Sequence, residues 1–223
     1  MERYAVTDEQ WERIQQWFPE ERPARRGRPW RSHRLIVSAI LWVVCSGAKW
    51  RDVPRSYGPW KTVYNRFRRW YFEGLWEHVW EQLLVDLDHQ GEVDWNLWCV
   101  DGTVVRAHRC AAGVTTTDPQ EPADHALGRS QGGFGTKLHL VVSGNGIPLT
   151  VTATPGQAHE SKEFENVLSS VPLTDFQCQE SPVPSSTSHS RKPEAIAGDK
   201  GYSAGHIREW IKKRHPRRHP HAK

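Results

Sequence analysis

One feature constrains this chain more than any other. Around Asp94 its pattern changes from helical to extended. Upstream, apolar residues recur every three or four positions; downstream, short β-rich runs are separated by glycines. Helical periodicity followed by β-rich runs predicts a mixed α/β protein. We read residues 1–92 as a helical region and residues 93–223 as a sheet-containing core, and 223 residues can bury one.

The helical part opens with "TDEQWERIQQWF". Thr7 stands as an N-cap with Gln10 three residues on, Trp11, Ile14, Trp17 and Phe18 share one face, and Pro19 stops the helix. Next comes "PEERPARRGRPWRSHR", whose arginines, Arg25, Arg26 and Arg28 among them, lie between prolines and a glycine. This stretch is either a DNA-contacting arm or a solvated linker. "SHRLIVSAILWVVCSG" predicts a helix capped by Ser32, ended by Gly47 and apolar nearly all round, hence buried. Beyond it, Trp60, Val63, Tyr64, Phe67, Trp70 and Tyr71 form an apolar face, leaving Lys61, Asn65, Arg66, Arg68 and Arg69 on the polar side. Two helices joined by a short Gly/Pro-punctuated connection resemble a helix-turn-helix; the alternative is a helical bundle with a charged exterior. A further amphipathic helix is expected over residues 75–91.

Charge supports nucleic-acid contact at this end. Residues 1–72 carry 15 Lys and Arg against 7 Asp and Glu, whereas residues 73–223 carry 15 against 19. A basic front and a mildly acidic rear suggest a polyanion-binding module joined to something else. The tryptophans fall mostly at helical spacing, which assigns them to core packing rather than base stacking.

In the second part, Trp98–Val100 reads as a strand, with Thr103–Ala107 as its neighbour or continuation. Residues 110–135 are too weakly patterned to be an element. Lys137–Val142 and Leu149–Thr154 flank "SGNGIP" as a hairpin. "AHESKEFENVLSSV" predicts a helix, residues 177–193 a low-complexity surface loop, and Ala204–Arg214 a last helix. No GxxxxGK[ST], GxGxxG, HExxH or GxSxG occurs. The histidines of the tail lack paired cysteines, which argues against zinc there. Four well-spaced cysteines without a CxxC favour reduced thiols. With no export signal and no apolar run of membrane-spanning length, we expect a cytoplasmic protein.

Two acids share one setting. Asp101 follows the apolar run "LWCV" and precedes a glycine; Asp199 follows "AIA" and precedes Lys200 and a glycine. If those runs are neighbouring strands, the two carboxylates emerge together. Two such anions repel unless a cation lies between them. Mg²⁺ suits the position, since it takes carboxylates and leaves sites for phosphate oxygens.

"VDGTVVRAHR", "GGFGTKLHLVV", "GIPLTVTATPGQAHES" and "AIAGDKGY" resemble the core of DDE-type bacterial insertion-sequence transposases, most closely the insertion-sequence-5-like branch. "TDEQWERIQQWFP", "RRGRPW" and "GAKWRDVPRSYGPWKTVYNRFRRW" resemble that branch's helical N-terminal region. The resemblance implies a ribonuclease-H-like core. Its first strand ends in a metal-binding Asp, matched by Asp101, and is followed by an antiparallel meander, a helix and a strand ending at Asp199. It also implies catalysis with Mg²⁺ or Mn²⁺ at these two residues and binding of terminal inverted repeats and target DNA. The implied setting is a homo-oligomer on DNA, without a membrane, at the bacterial nucleoid. Lys137, His139, Lys200 and Arg106 are either phosphate contacts or exterior charge. The family's third ligand, a Glu in a Y-x₂-R-x₃-E-x₆-K pattern, has no match, and Glu209 lacks that context. We therefore expect a core incomplete at its C-terminus. Such a chain is a frameshift-dependent or incomplete transposase or, alternatively, a catalytically inactive DNA-binding remnant or regulator.

Overall fold

The computed structural model describes residues 4–21, 31–108, 122, 124–172, 193–202 and 204–214. The basic arm with Arg25, Arg26 and Arg28, the low-complexity stretch and the His-rich tail lie outside the described residues. The chain divides into two compact units, Met1–Asp86 and Leu87–Lys223.

In the first unit, α1 (Asp8–Ile14) begins at a reciprocal capping box. Gln10 N–H donates to Thr7 Oγ1 (3.2 Å), and Thr7 N–H donates to Gln10 Oε1 (3.0 Å). A 3₁₀ turn, Gln15–Trp17, carries the chain to the proline. α2 (His33–Ser46) is capped by Ser32, and Gly47, at φ +66°, closes it in the left-handed region that glycine tolerates. α2 is not buried all round. Ile36, Val37, Ala39, Ile40 and Val43 are inside, whereas Leu41 and Val44 are 40% and 66% exposed. One side of the helix meets the core, so the apolar residues opposite stay in contact with water. Residues 47–59 then hold two 3₁₀ turns, Trp50–Asp52 and Arg55–Tyr57, before α3 (Trp60–Phe72). This connection is longer than the roughly 3–4-residue turn of a compact helix-turn-helix. α4 (Leu75–His89) follows Gly74. The core is aromatic. Trp70 packs edge-on against Phe18 (5.3 Å), His33 (5.2 Å) and Trp76 (5.6 Å), the geometry favoured by ring quadrupoles.

The second unit is a five-stranded sheet. β1 (Leu97–Arg106) is central, antiparallel to β3 (Gly133–Ser143) on one side and parallel to β5 (Ala195–Gly198) on the other. β2 (Gly128–Ser130) and β4 (Pro148–Pro155) both pair antiparallel with β3, β2 at Gly133–Gly135 and β4 at Thr136–Val142. "GRSQGGFG" is therefore a tight hairpin and not unpatterned, its corner made by Gly133 at φ +104°.

α5 (Glu160–Ser169) covers one face of the sheet, and α6 (Gly205–Arg214) packs on α5 through Phe164 and Trp210, 5.8 Å apart. Phe164, Val167 and Leu168 recur at helical spacing and are almost wholly buried. Each contributes roughly 1.5–3 kcal/mol by leaving water. Successive strand residues alternate between faces. Trp98, Val100 and Gly102 thus look towards α5, while Cys99 and Asp101 lie on the opposite face.

Candidate active site

Asp101 does not end its strand. β1 runs on to Arg106 against β3, so Thr103–Val105 are its continuation and Asp101 sits mid-strand. What ends is the pairing with β5. The last parallel rung joins Val100 to Gly198, and the next rung would join Asp101 to Asp199. Adjacent strands lie about 4.8 Å apart. Backbone register alone therefore brings the two acids together at the notch left on β1 where β5 stops. Both side chains are exposed. Gly102 N–H donates to Asp101 Oδ1 (2.7 Å) and Gly201 N–H donates to Asp199 Oδ1 (2.8 Å).

A 3₁₀ turn, Lys200–Tyr202, follows Asp199 and drives Tyr202 into the core. Its hydroxyl is hydrogen-bonded to His139 Nδ1 (3.3 Å), and His139 Nε2 to Thr154 Oγ1 (2.8 Å). Burial, then the carboxylates of Glu160, Asp199 and Asp101, push Tyr202 above the ordinary tyrosine range, so its hydroxyl keeps its proton. Burial holds His139 below the usual histidine range, so the ring is neutral near pH 7.

Glu160, the first residue of α5, is the acid that sequence reasoning passed over. Lys137 Nζ donates to its Oε1 (3.2 Å) and to the Ala158 carbonyl (3.1 Å). A Cβ on Gly102 would stand 3.4 Å from Glu160 Oε1, and one on Gly201 would overlap Glu160 Oε2 and stand 3.0 Å from Asp199 Oδ1. Two glycines thus leave room for the Glu160 side chain beside the aspartates. As they stand, no group of three or more His, Cys, Asp or Glu among the described residues is arranged to hold a metal ion.

Other expected contacts land elsewhere. Lys137 faces inward, tied to Glu160 and Ala158. His139 is fully buried and cannot be exterior charge or a phosphate contact. Lys200 lies in the turn beside Asp199, and the exposed Arg106 donates to the Gly132 carbonyl (2.8 Å).

On α3, Arg66 was expected on the polar side but is 5% exposed, with Nη1 2.9 Å from His33 Nδ1 and its guanidinium over Trp70 (5.4 Å). It lies three residues after Val63 and four before Trp70, on the buried stripe itself. Lys61, Arg68 and Arg69 remain exposed. Lys61 lies over Trp60 (5.9 Å), as does Arg51 (5.7 Å), and Arg68 over Phe72 (5.4 Å). No helix among the described residues is long and apolar enough to cross a membrane.

A DDE-type core is defined by acids delivered from neighbouring strands, and comparison with known proteins agrees with that reading. Residues 96–219, more than half of the chain, match the family described as "Transposase DDE domain", and the chain belongs to that family. Its fold class is accordingly ribonuclease-H-like. Residues 6–80 match the family described as "Putative transposase of IS4/5 family (DUF4096)". It is similar to the uncharacterized protein y4sN of Sinorhizobium fredii, 37% identical over 109 residues, covering 49% of this chain and 82% of the relative. It is also similar to the uncharacterized 16.2 kDa protein of insertion element IS402 from Burkholderia cepacia, 31% identical over 124 residues, covering 53% and 84%. No solved structure matches.

Proposed function

We propose that this chain binds the terminal inverted repeats of its element and cleaves and joins DNA strands with Mg²⁺ or Mn²⁺ held at Asp101 and Asp199. The observation that carries the reading is the parallel β1/β5 register, whose last rung, Val100 to Gly198, immediately precedes both aspartates. The donor set fits the ion, because paired carboxylates are hard oxygen ligands. The glycines beside them leave room for the Glu160 carboxylate to pack close by. When bound there, a divalent ion supplies charge neutralisation at the phosphate and lowers the pKa of an attacking water or hydroxyl.

The chain's own residues do the rest. Asp101 and Asp199 hold their carboxylates on rigid strand and turn backbone. Tyr202 anchors the turn behind Asp199 to the buried imidazole of His139. DNA contact falls to residues 1–92, through the exposed cations of α3, Lys61, Arg68 and Arg69, and the arm with Arg25, Arg26 and Arg28. Residues 93–223 carry the chemistry, and Lys200 stands beside it. The working form is a homo-oligomer on DNA, at the nucleoid in the cytoplasm.

A second reading is a catalytically inactive DNA-binding remnant or regulator. A terminal-repeat duplex incubated with the purified chain and Mn²⁺ separates the two. Cleavage abolished by Asp101→Asn supports the enzyme. Retained repeat binding without cleavage refutes it in favour of the regulator.

A further inference from the structure

We infer that the outer stripe of α3 is a stacking surface for unpaired bases, and that the strand it takes is single-stranded DNA. This rests on the proposed DNA contact of α3 and names the form of DNA met there. Lys61, Tyr64, Arg68 and Phe72, spaced by three, four and four residues, share one face of the helix. They alternate cation and ring over roughly 16 Å, at 1.5 Å of rise per residue. Arg68 reaches over two rings, its guanidinium 5.9 Å from the centre of Tyr64 and 5.4 Å from that of Phe72. At the other end Lys61 and Arg51 both stand over Trp60, whose ring is 6.5 Å from Tyr64. Phe72 is 51% exposed, and Tyr71, 45% exposed, meets it edge-on at 5.3 Å. Lys61 and Arg68 make no hydrogen bond or ion pair among the described residues, which leaves their charge for a partner.

The alternation decides the occupant. A duplex presents phosphates and groove edges, and its base faces are already covered by their neighbours. Cations alone would serve it, and half-exposed rings would only add apolar surface to water. A strand without a partner presents phosphates and bare base faces together, which cations interleaved with aromatic side chains match at once. Every base has a π-face, so such a surface takes strands without regard to sequence. The other candidate occupant is a second copy of the chain. It fits less well, because the exposed Arg51, Lys61 and Arg68 would then set positive charge against positive charge.

Fluorescence anisotropy of the full chain with three labelled probes tests this. They are an oligothymidine strand, an abasic strand of the same length, and a dumbbell duplex closed at both ends so that no terminal base pair offers its face. Phe72→Leu keeps an apolar side chain and removes the ring. It should weaken oligothymidine binding at least about fivefold, the smallest loss expected for one stacked base. Binding of the abasic strand and of the dumbbell should not change, and Phe72→Trp should restore the oligothymidine affinity. Arg68→Gln removes charge and should weaken all three probes. Phe72 lies at the surface, and thermal melting of each variant checks the fold. If Phe72→Leu leaves oligothymidine binding unchanged, or weakens the dumbbell equally, the stacking inference fails alone. It also fails alone if the chain binds the dumbbell but not oligothymidine. If Lys61→Gln and Arg68→Gln together alter the binding of no probe, the DNA contact of α3 fails with it. A dimer in sedimentation that Phe72→Leu dissociates, with strand affinity unchanged, would assign the face to a second copy and overturn the inference.

Discussion

Tyr202→Phe isolates one hydrogen bond on which the turn after Asp199 depends. The ring is 5% exposed and stays packed on Phe164, 5.9 Å away, so the substitution keeps the buried surface and removes only the hydroxyl. His139 is 0% exposed, and its Nδ1 then faces the interior without this partner. Orphaning a buried polar atom costs about 1–3 kcal/mol. At 3.3 Å the bond lies at the long end of the usual range, which puts the expected loss near about 1 kcal/mol. Tyr202→Ala also removes the ring and should cost about 3–5 kcal/mol. Because the chain has two units, a single melting curve is a poor assay. Native-state hydrogen exchange of peptides spanning β3 and β4 reads the second unit alone. A loss of 1 kcal/mol there accelerates exchange about fivefold. In a His139→Leu background, Tyr202→Phe should be neutral or stabilising, since the buried hydroxyl has already lost its partner and no ring nitrogen remains to be orphaned. An acceleration that is the same with and without His139 refutes the reasoning, as does none at all.

Arg66→Met leaves His33 Nδ1 without its guanidinium and should destabilise the first unit by about 1–3 kcal/mol, read as faster exchange in α2. Acid should weaken both units. His33, held low by burial and then by Arg66, and His139, held low by burial, stay neutral in the folded chain while the unfolded chain takes up protons. Stability is thus complete above the ordinary histidine pKa of about 6.5 and falls as pH drops below it. Urea titrations at descending pH should show this, with a shallower slope in His33→Gln and His139→Gln. Gly201→Ala would set a Cβ against Glu160 Oε2 and 3.0 Å from Asp199 Oδ1, and should lower Mn²⁺ affinity by displacing the Asp199 carboxylate. For DNA, the slope of log affinity against log salt should shrink by about 0.9 for each lost phosphate contact. Lys61→Gln with Arg68→Gln should flatten it, as should joint removal of Arg25, Arg26 and Arg28; an unchanged slope in the latter makes the arm a linker.

The elements whose signal is local were legible in the sequence. Thr7, Ser32 and Gly47 mark helix ends because caps act through neighbouring backbone atoms. The hairpin around residues 143–148 is legible because its turn chemistry and strand runs are contiguous. The errors fall where a residue's face is decided by distant parts of the chain. Arg66 reads as polar surface by residue type, yet its spacing from Val63 and Trp70 puts it on the buried stripe, and His33, far away in sequence, makes that tolerable. In "TKLHLVV" both faces of β3 hold apolar residues, so alternation does not say whether the leucines or the histidine face α5. Thr154 and Tyr202 decide it, by giving His139 two buried partners. Glu160 was invisible for the same reason. An acid at the first position of a helix is already explained by the helix dipole, and only the sheet brings it beside Asp199.

Charge at the notch gives the argument for a divalent ion a form independent of any motif. Asp101, Asp199 and Glu160 carry three negative charges, and among them the described side chains supply one paired cation, Lys137. Lys137 is held on the Glu160 side by the Ala158 carbonyl, so it cannot neutralise the aspartates. Both aspartates are exposed, so water solvates them in the free protein. A DNA phosphate arriving at the notch would expel that water and add another negative charge. Binding substrate and binding a divalent cation are then coupled, because each lowers the electrostatic cost of the other. Mn²⁺ should therefore bind more tightly when a terminal-repeat duplex is present, and the duplex more tightly when Mn²⁺ is present, by the same factor. That reciprocity should disappear in Asp101→Asn and Asp199→Asn, where the charge that creates it is gone. Its persistence in both variants would mean that the ion and the DNA meet elsewhere on the chain.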